Sequence, residues 1–360
     1  MTKIIDITKR VYSGGTPDTR KSEYWNGDIK WLSSGETRNN FIFDTDKKIT
    51  ELGVNNSSTK LASKGSIVMA CAGQGFTRGQ TSYLMDDMYI NQSVICIEPD
   101  DNKVDGLYLY YFFKNNYQLL RSLSNDHSSR GSITTAMIKD FEVNFPDIDI
   151  QKRISNILYS IDQKIELNNK INNNLYKLIK NNYESLINGC NWEEVELGAI
   201  SNITSGKRPV DKSEIGEYPV IGANGIMAYT SDYNFSEDLI ITGRVGTLGV
   251  VKRYLGKIWA SDNTLVIQTK YLNYIENYLK TIDYYSLNRG STQPLLTQGD
   301  LKKQIIYFND ELVTKFEKDN QIFVDKIRNN EKENSKLIQL RDTLLPKLMN
   351  SEINLDNIEI

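Results

Sequence analysis

The chain has 360 residues, of which 39% are hydrophobic and 10% aromatic, so it can form packed cores in two or three domains. A formal net charge of −3 gives no overall nucleic-acid signal, so any prediction of DNA binding must rest on local patches. Three widely spaced cysteines make no metal-ligand pattern, which favours a reduced, cytoplasmic setting. No apolar run approaches the length of a membrane span, so no membrane partner is expected.

Residues 1–149 are predicted to form a strand-rich mixed domain. Turn residues such as Ser13–Pro17 separate short apolar runs, and strand-like runs begin at Ile67 and Ser93. The aromatic run Leu107–Phe113 predicts a short buried helix.

Residues 150–189 are predicted to form a long helix, because apolar residues recur at alternating steps of four and three. This a/d seam consists of Ile154, Leu158, Ile161, Ile165, Asn168, Asn172, Leu175 and Ile179. Such a rod is longer than a globular core needs, so it predicts a spacer that pairs with another helix.

Residues 190–309 repeat the plan of the first domain. An offset of about 171 aligns Gly75 with Gly246 and Tyr83 with Tyr254. Later, Arg130-Gly131-Ser132 matches Arg289-Gly290-Ser291 with an offset of about 159. The order of the matched blocks never changes, which indicates a tandem duplication of a domain with its helix.

Residues 310–350 are predicted to form the second long helix, followed by a polar tail at 351–360. Its seam consists of Val313, Phe316, Asn320, Phe323, Ile327, Asn330, Asn334, Leu337, Arg341, Leu344 and Leu348. Antiparallel pairing of the two copies would set Asn168 against Asn334 and Asn172 against Asn330. These asparagines either form polar layers that fix the register or face solvent in an asparagine-rich chain.

These elements predict an α+β fold. Two strand-rich mixed α/β domains lie in tandem, each followed by a long helix, and the helices pair as an antiparallel coiled coil with pseudo-two-fold symmetry. Two related but diverged domains on a helical pair favour binding to two non-identical sites, such as a split DNA sequence whose gap the helices measure.

Candidate DNA contacts lie in polar, glycine-bearing loops at matching places in both halves. Arginine, asparagine and glutamine suit base edges, whereas lysine, serine and threonine suit phosphates; an ordinary solvated turn is the alternative for each. The candidates are Arg38, Asn39, Gln74, Arg78, Gln80, Ser129, Arg130, Lys207, Arg208, Asn224, Arg244, Arg289, Ser291 and Gln293.

Catalytic motifs are missing from the sequence. No nucleotide-phosphate loop is present, and His127 is the only histidine, so neither a histidine-based triad nor a histidine metal cluster can form. A loose nuclease-like string, Asp147 with Asp162 and Lys164, falls partly on the first long helix, where surface charges are the better interpretation. We therefore predict no catalytic residues and no metal site.

Four motifs carry a resemblance to a known family. They are SGGTP near the start, IDQKIELNNKINNNL on the first helix, GRVGTLG at Gly243–Gly249 and LRDTLLPKLMNSEI at Leu340–Ile353. With the tandem layout, they make the chain resemble the specificity subunits of type I restriction–modification systems. The match spans nearly the whole sequence, although the first half has AGQGFTRG where the second has GRVGTLG.

The resemblance implies that residues 1–149 and 190–309 are target recognition domains, each reading one half of a bipartite double-stranded DNA site. It also implies that the helices set the gap and dock two methyltransferase subunits, which carry S-adenosylmethionine, and that restriction subunits using ATP and Mg²⁺ join them. The chain itself would bind no cofactor. The alternative function is a coiled-coil adapter that binds proteins rather than DNA.

Overall fold

The computed structural model describes residues 2–73, 77–125, 131–189, 192–213 and 216–353. The chain divides into two compact units. Unit 1 contains Met1–Leu167 and Glu333–Ile360, and unit 2 contains Asn168–Lys332. Each unit therefore holds a strand-rich region and a segment of each long helix.

The strand-rich region of unit 1 is built from short elements. Its strands are β1 (Thr2–Lys3), β2 (Thr8–Ser13), β3 (Trp25–Leu32), β4 (Phe41–Ile42), β5 (Lys47–Ile49), β6 (Lys60–Ala62), β7 (Ile67–Ala70), β8 (Thr81–Leu84), β9 (Met88–Ile90), β10 (Val94–Pro99) and β11 (Glu142–Val143). Its helices are α1 (Glu51–Asn55), α2 (Gly106–Asn115), α3 (Tyr117–Asn125) and α4 (Thr135–Asp140). The sheet orders are β2-β10-β7-β8-β4 and β5-β3-β9-β6, with β1 paired to β11.

The central strands β7 and β10 are buried on both faces, which explains their continuous apolar sequence. Ile67 and Met69 belong to a core that includes α2 residues and Leu158 of the first long helix. Val68, which points to the opposite face, packs in a second core that includes Leu32.

Helix α2 is the buried helix that the aromatic run predicted. Asp105 caps it by accepting a hydrogen bond from the Tyr108 backbone N–H at 2.8 Å. Tyr110 and Tyr111 are both fully buried, so the aromatic side chains serve the core of unit 1.

The first long helix, α5, spans Ile148–Ile187. Unit 2 follows with strands β12 (Glu193–Glu196), β13 (Asn202–Ser205), β14 (Tyr218–Gly222), β15 (Gly225–Thr230), β16 (Leu239–Gly243), β17 (Lys252–Tyr254), β18 (Trp259–Ala260), β19 (Thr264–Gln268) and β20 (Ile305–Phe308). Its short helices are α6 (Leu197–Ile200), α7 (Leu272–Leu279) and α8 (Gln298–Lys302). The second long helix, α9, spans Asp310–Met349.

The sheets of unit 2 follow a plan similar to that of unit 1. Their orders are β13-β19-β16-β17 and β15-β14-β18, with β12 paired to β20. Ile240 and Leu265 pack with Tyr274 of α7 and with α9 residues, whereas Ile241 and Val266 face a separate core. The predicted fold class, two mixed α/β domains in tandem with a long helix after each, is confirmed.

Helices α5 and α9 pair in opposite directions within each unit. In unit 1, Arg341 binds Asp162 across the helices with Nη1 and Oδ1 2.7 Å apart. In unit 2, Asn330 donates to Asn172 at 2.7 Å and Asn182 donates to Asn320 at 2.9 Å.

The predicted seam residues can be followed one by one. Buried members are Ile154, Leu158, Ile161, Ile165, Asn168, Asn172, Ile179, Val313, Phe316, Asn320, Ile327, Asn330, Asn334 and Leu348. Half-buried members are Leu175, Phe323, Leu337, Arg341 and Leu344. Tyr183, Val324 and Leu345 are buried as well, because a helix of 3.6 residues per turn drifts away from a strict heptad pattern.

The contact division between the units falls inside the two helices, at residues 167/168 and 332/333. The domain limits at 149/150 and 309/310 therefore stay predictions. Within the described ranges, no helix combines the length and apolar character needed to cross a membrane.

Candidate nucleic-acid interface

Four loops of unit 2 meet at one end of the sheet β13-β19-β16-β17. β13 and β16 end there and their antiparallel neighbour β19 begins there, so the loops must converge. Arg244 N donates to Asn263 O at 2.8 Å, and Leu296 N donates to Arg244 O at 2.8 Å. Gly246 N donates to Pro294 O at 3.0 Å. We call residues 205–208, 243–249, 261–264 and 288–296 the unit 2 loop cluster.

Most candidate DNA contacts of the second half belong to this cluster. Lys207, Arg208, Ser291 and Gln293 are exposed. Arg244 is half-buried, and its Nη1 donates to the Asp262 carbonyl oxygen at 3.3 Å. Cationic and amide side chains thus surround a framework of backbone hydrogen bonds.

Asn224 lies in the turn between β14 and β15 and is exposed. Its backbone carbonyl accepts a hydrogen bond from Lys252 Nζ at 3.4 Å. The preceding Ala223 packs beside Gly243, where an added Cβ would come within 3.2 Å of the alanine Cβ. The turn therefore borders the unit 2 loop cluster.

Arg289 is held by an ion pair with Asp300, which lies just outside the cluster. Its Nη2 lies 2.8 Å from Asp300 Oδ1 and its Nε lies 3.2 Å from Oδ2. The hydrogen bond from Arg289, together with that from Thr297, holds the pKa of Asp300 at about 2. The guanidinium thus ties the loop to the first turn of α8, which suits loop anchoring better than a base contact.

Unit 1 brings the equivalent loops together with the same kinds of hydrogen bond. Cys71 N donates to Ser93 O at 2.9 Å, Ile133 N donates to Cys71 O at 2.9 Å, and Gly14 N donates to Asn91 O at 3.2 Å. We call the described residues of 13–16, 71–80, 91–93 and 131–133 the unit 1 loop cluster. The candidates Gln74, Ser129 and Arg130 lie outside the described residues.

A groove of about 390 Å³ opens beside the unit 1 loop cluster. The candidates Arg38 and Gln80 line it, together with Asn40, Lys114 and Tyr117. Arg38 is exposed, as is the neighbouring candidate Asn39.

Lys114 was missed by the sequence analysis because it ends an aromatic run that reads as core. Its Nζ donates to Asn40 Oδ1. Burial, reinforced by the nearby charge of Arg341, lowers the pKa of Lys114 to about 8.

Arg78 is buried and packs inside its own loop region instead of facing solvent. Only 7% of the residue is accessible, and a Cβ added to Gly131 would lie 1.6 Å from its Nη1. The guanidinium therefore packs on the backbone of Gly131. A base contact by Arg78 would require it to leave this position.

The segment that follows Arg-Gly-Ser is longer in unit 2. Ile133 and Leu296 make equivalent hydrogen bonds, which gives an offset of 163 (296 − 133). The Arg-Gly-Ser match gives 159 (289 − 130), so unit 2 holds four more residues after this motif. The offset of 163 persists through the helix caps Thr134 and Thr297, each accepting a hydrogen bond from the backbone N–H three residues later.

In both repeats a tyrosine ring packs on a left-handed glycine of the hairpin loop. Gly79 has φ +86°, and an added Cβ would lie 3.4 Å from the Tyr117 ring. Gly249 has φ +79°, and an added Cβ would lie 3.1 Å from the Tyr284 ring. Each repeat thus has a tyrosine ring packed on a left-handed glycine of this loop, although the loop sequences have diverged.

The nuclease-like string does not form a site. Asp162 is 2% exposed, and its carboxylate accepts hydrogen bonds from Tyr111 Oη and Arg341 Nη1, both at 2.7 Å. Lys164 instead faces Glu333, with Nζ and Oε2 3.4 Å apart, and Asp147 is exposed. Among the residues that the structure describes, no three potential metal ligands converge.

Comparison with known proteins agrees with this geometry. The type I restriction modification DNA specificity domain matches residues 2–177 and 190–310. The chain is 27% identical over 410 residues to the type I restriction enzyme MjaIX specificity subunit of Methanocaldococcus jannaschii, covering 99% of this chain and 94% of that one. It is 30% identical over 154 residues to the EcoR124I/EcoR124II specificity subunit of Escherichia coli, covering 42% and 38%.

The crystal structure of a type I restriction–modification S subunit from M. genitalium has a similar fold. The TM-score is 0.63 at 17% identity, and the match covers 97% of this chain and 95% of that one.

Two diverged copies of one domain, each with an equivalent loop cluster and each followed by a long helix, are typical of a protein with tandem recognition domains. The chain belongs to the type I restriction–modification DNA specificity family. The resemblance seen in the four sequence motifs is thereby confirmed, as is the non-catalytic role of the chain as a specificity subunit.

Proposed function

We propose that the two loop clusters each read one half of an asymmetric, bipartite double-stranded DNA site. The observation that carries this proposal is that matching loops converge at the same sheet end in both repeats and present polar side chains there. Because the two clusters differ in loop length and in exposed residues, the half-sites they read are different sequences.

The exposed candidates divide by chemistry. Lys207 and Arg208 suit phosphate contacts, because both are exposed and, among the described residues, make no ion pair. The exposed candidates suited to base edges are Arg38, Asn39, Asn224 and Gln293. Gln80 is a half-buried candidate of the same kind, and the exposed Ser291 suits either a base edge or a phosphate. Arg78, Arg244 and Arg289 shape their loops, and Gln74, Ser129 and Arg130 stay candidates on sequence grounds.

The helical pair sets the distance between the half-sites and docks the partner subunits. In each unit the helices expose large apolar side chains that a solvated helix would not need. These are Leu167 and Leu340 in unit 1, 53% and 47% exposed, and Leu178 and Ile322 in unit 2, 41% and 70% exposed. We assign these exposed helix faces to two methyltransferase subunits, which supply S-adenosylmethionine. Restriction subunits using ATP and Mg²⁺ complete the complex. The complex acts on DNA in the cytoplasm.

The central test is adenine methylation across the genome of a host that expresses this chain with its neighbouring methyltransferase. A single split motif that disappears when this chain is removed is the expected result. A motif that is indifferent to this chain, or no motif at all, would refute DNA specificity and favour the protein-binding adapter.

The spacing role has its own test. Inserting one heptad into each helix at paired positions keeps the seam in register and lengthens each helix by about 10 Å. At about 3.4 Å per base pair, the unspecified gap should grow by roughly three base pairs while both half-sites stay the same. An unchanged gap would show that the helices do not measure it.

A further inference from the structure

Tyr285 is the most exposed large hydrophobic residue among those described, with 94% of it accessible. Its backbone is nevertheless fixed. Tyr285 N donates to Asp283 Oδ1 at 3.0 Å, and its carbonyl accepts a hydrogen bond from Asn288 N at 3.3 Å. The ring therefore projects from an ordered turn into open space.

The Tyr285 ring borders a groove of about 330 Å³ in the unit 2 loop cluster. One part of the lining is apolar, with Leu248 and Pro294, and another is polar, with Asn288 and Ser291. A nucleobase has the matching surface, a flat apolar face with a polar edge.

Comparison of the two repeats singles out this position independently. Tyr284 anchors on Gly249 as Tyr117 anchors on Gly79. The next residue is exposed in both repeats, but it is Tyr285 in unit 2 and Gln118 in unit 1. The anchor is kept while the adjacent outward side chain has changed, as expected where two domains read different bases.

We propose that Tyr285 is a specificity-determining residue whose ring packs against a base of the half-site read by unit 2, and that Gln118 is its counterpart in unit 1. Glutamine can bond both adenine N6 and N7 in the major groove, whereas tyrosine supplies a stacking or apolar contact. This proposal rests on the proposed function. The exposed cations Lys207 and Arg208, in the same cluster, favour DNA over a protein as the occupant of the groove.

The experiment uses the chain in its complex with the methyltransferase. The variants are Tyr285→Ala, Tyr285→Phe, Tyr285→Gln and Gln118→Ala, with Tyr307→Ala as the control. Tyr307 is a 52% exposed tyrosine on β20, outside the groove lining. The methylated motif is sequenced for each variant, and binding to a duplex carrying that motif is measured at fixed salt.

Tyr285→Ala should relax one half-site and weaken duplex binding by about tenfold, whereas Tyr285→Phe should keep the wild-type motif. Tyr285→Gln gives unit 2 the side chain that unit 1 has at Gln118, and it should change that same half-site. Gln118→Ala should relax the other half-site, and Tyr307→Ala should change neither.

A Tyr285→Ala complex with the wild-type motif and affinity would overturn the inference, as would an equal loss at both half-sites. That result differs from failure of the proposed function, in which the wild-type complex itself gives no split motif.

Discussion

The ion pair between Asp162 and Arg341 gives the sharpest test of how the helical pair is held together in unit 1. The two side chains are 3% and 13% exposed, and Tyr111 also donates to the carboxylate. Burial and the charge of Asp162 raise the pKa of Tyr111, so the phenol stays protonated and keeps donating. Arg341→Met would therefore leave a buried carboxylate without its hydrogen-bonded cation.

We expect Arg341→Met to lower the free energy of unfolding of unit 1 by about 3–5 kcal/mol, the usual cost of an uncompensated buried charge. The double variant Asp162→Asn with Arg341→Met should recover much of this loss, because it removes the charge and keeps an acceptor for Tyr111. The matched control is Lys164→Met. It breaks another cross-helix pair, with Glu333, whose side chains are 44% and 45% exposed, and should cost about 0–1 kcal/mol.

The assay is amide hydrogen exchange of peptides from each unit across a denaturant series, because a chain with two units need not unfold in one step. A loss below about 1 kcal/mol for Arg341→Met, equal to that of Lys164→Met, would refute the argument from burial. A double variant as unstable as Arg341→Met would show that the unpaired charge is not the cause.

Three further predictions follow from single contacts. Gly249→Ala should lower the free energy of unfolding by about 1–2 kcal/mol because of its left-handed backbone, and it should also displace the Tyr284 ring. The control Gly256→Ala, at φ +76° with nothing within 4 Å, should show the backbone cost alone. Tm reports the stability and the methylated motif reports the ring position, so equal effects of the two variants on the motif would contradict the anchor. Asn330→Leu should lower the free energy of unfolding by about 1–3 kcal/mol, because it leaves the buried Asn172 without its hydrogen-bond donor. Adding Asn172→Leu to the same chain should restore the stability measured by denaturant unfolding. Lys114 lines the same groove as the candidates Arg38 and Gln80, and its pKa is near 8. Its ammonium loses its charge as pH rises through 8, so DNA binding at this groove should weaken between pH 7 and 9, and Lys114→Arg should remove that dependence.

The elements with strong periodic patterns were predicted well. The four-and-three spacing of apolar residues located both long helices, since that spacing places them on one helical face whatever surrounds them. The continuous apolar runs at Ile67 and Val94 likewise became central strands, because both faces of these strands are buried. The duplication was visible because the same patterns recur in the same order.

The individual roles of the loop residues were not predictable in the same way. Arg78 and Arg289 look like equivalent candidates for base contacts in the sequence, yet one packs on a glycine backbone and the other pairs with Asp300. Lys114 directly follows the aromatic run Leu107–Phe113, which indicates a buried helix, and Tyr285 lies beside a second tyrosine. Neither position can be told from a core position by its sequence neighbours.

The sequence by itself determined the repeated plan, the two helices, the main strands and the family, because each depends on local periodicity or on motifs preserved along the chain. Only the tertiary structure decided which polar side chains are exposed, which ones hold the loops, and that Asp162 pairs with Arg341 across the two helices. Those roles depend on partners distant in sequence, such as Arg341 opposite Asp162, and burial then determines what each charge can do.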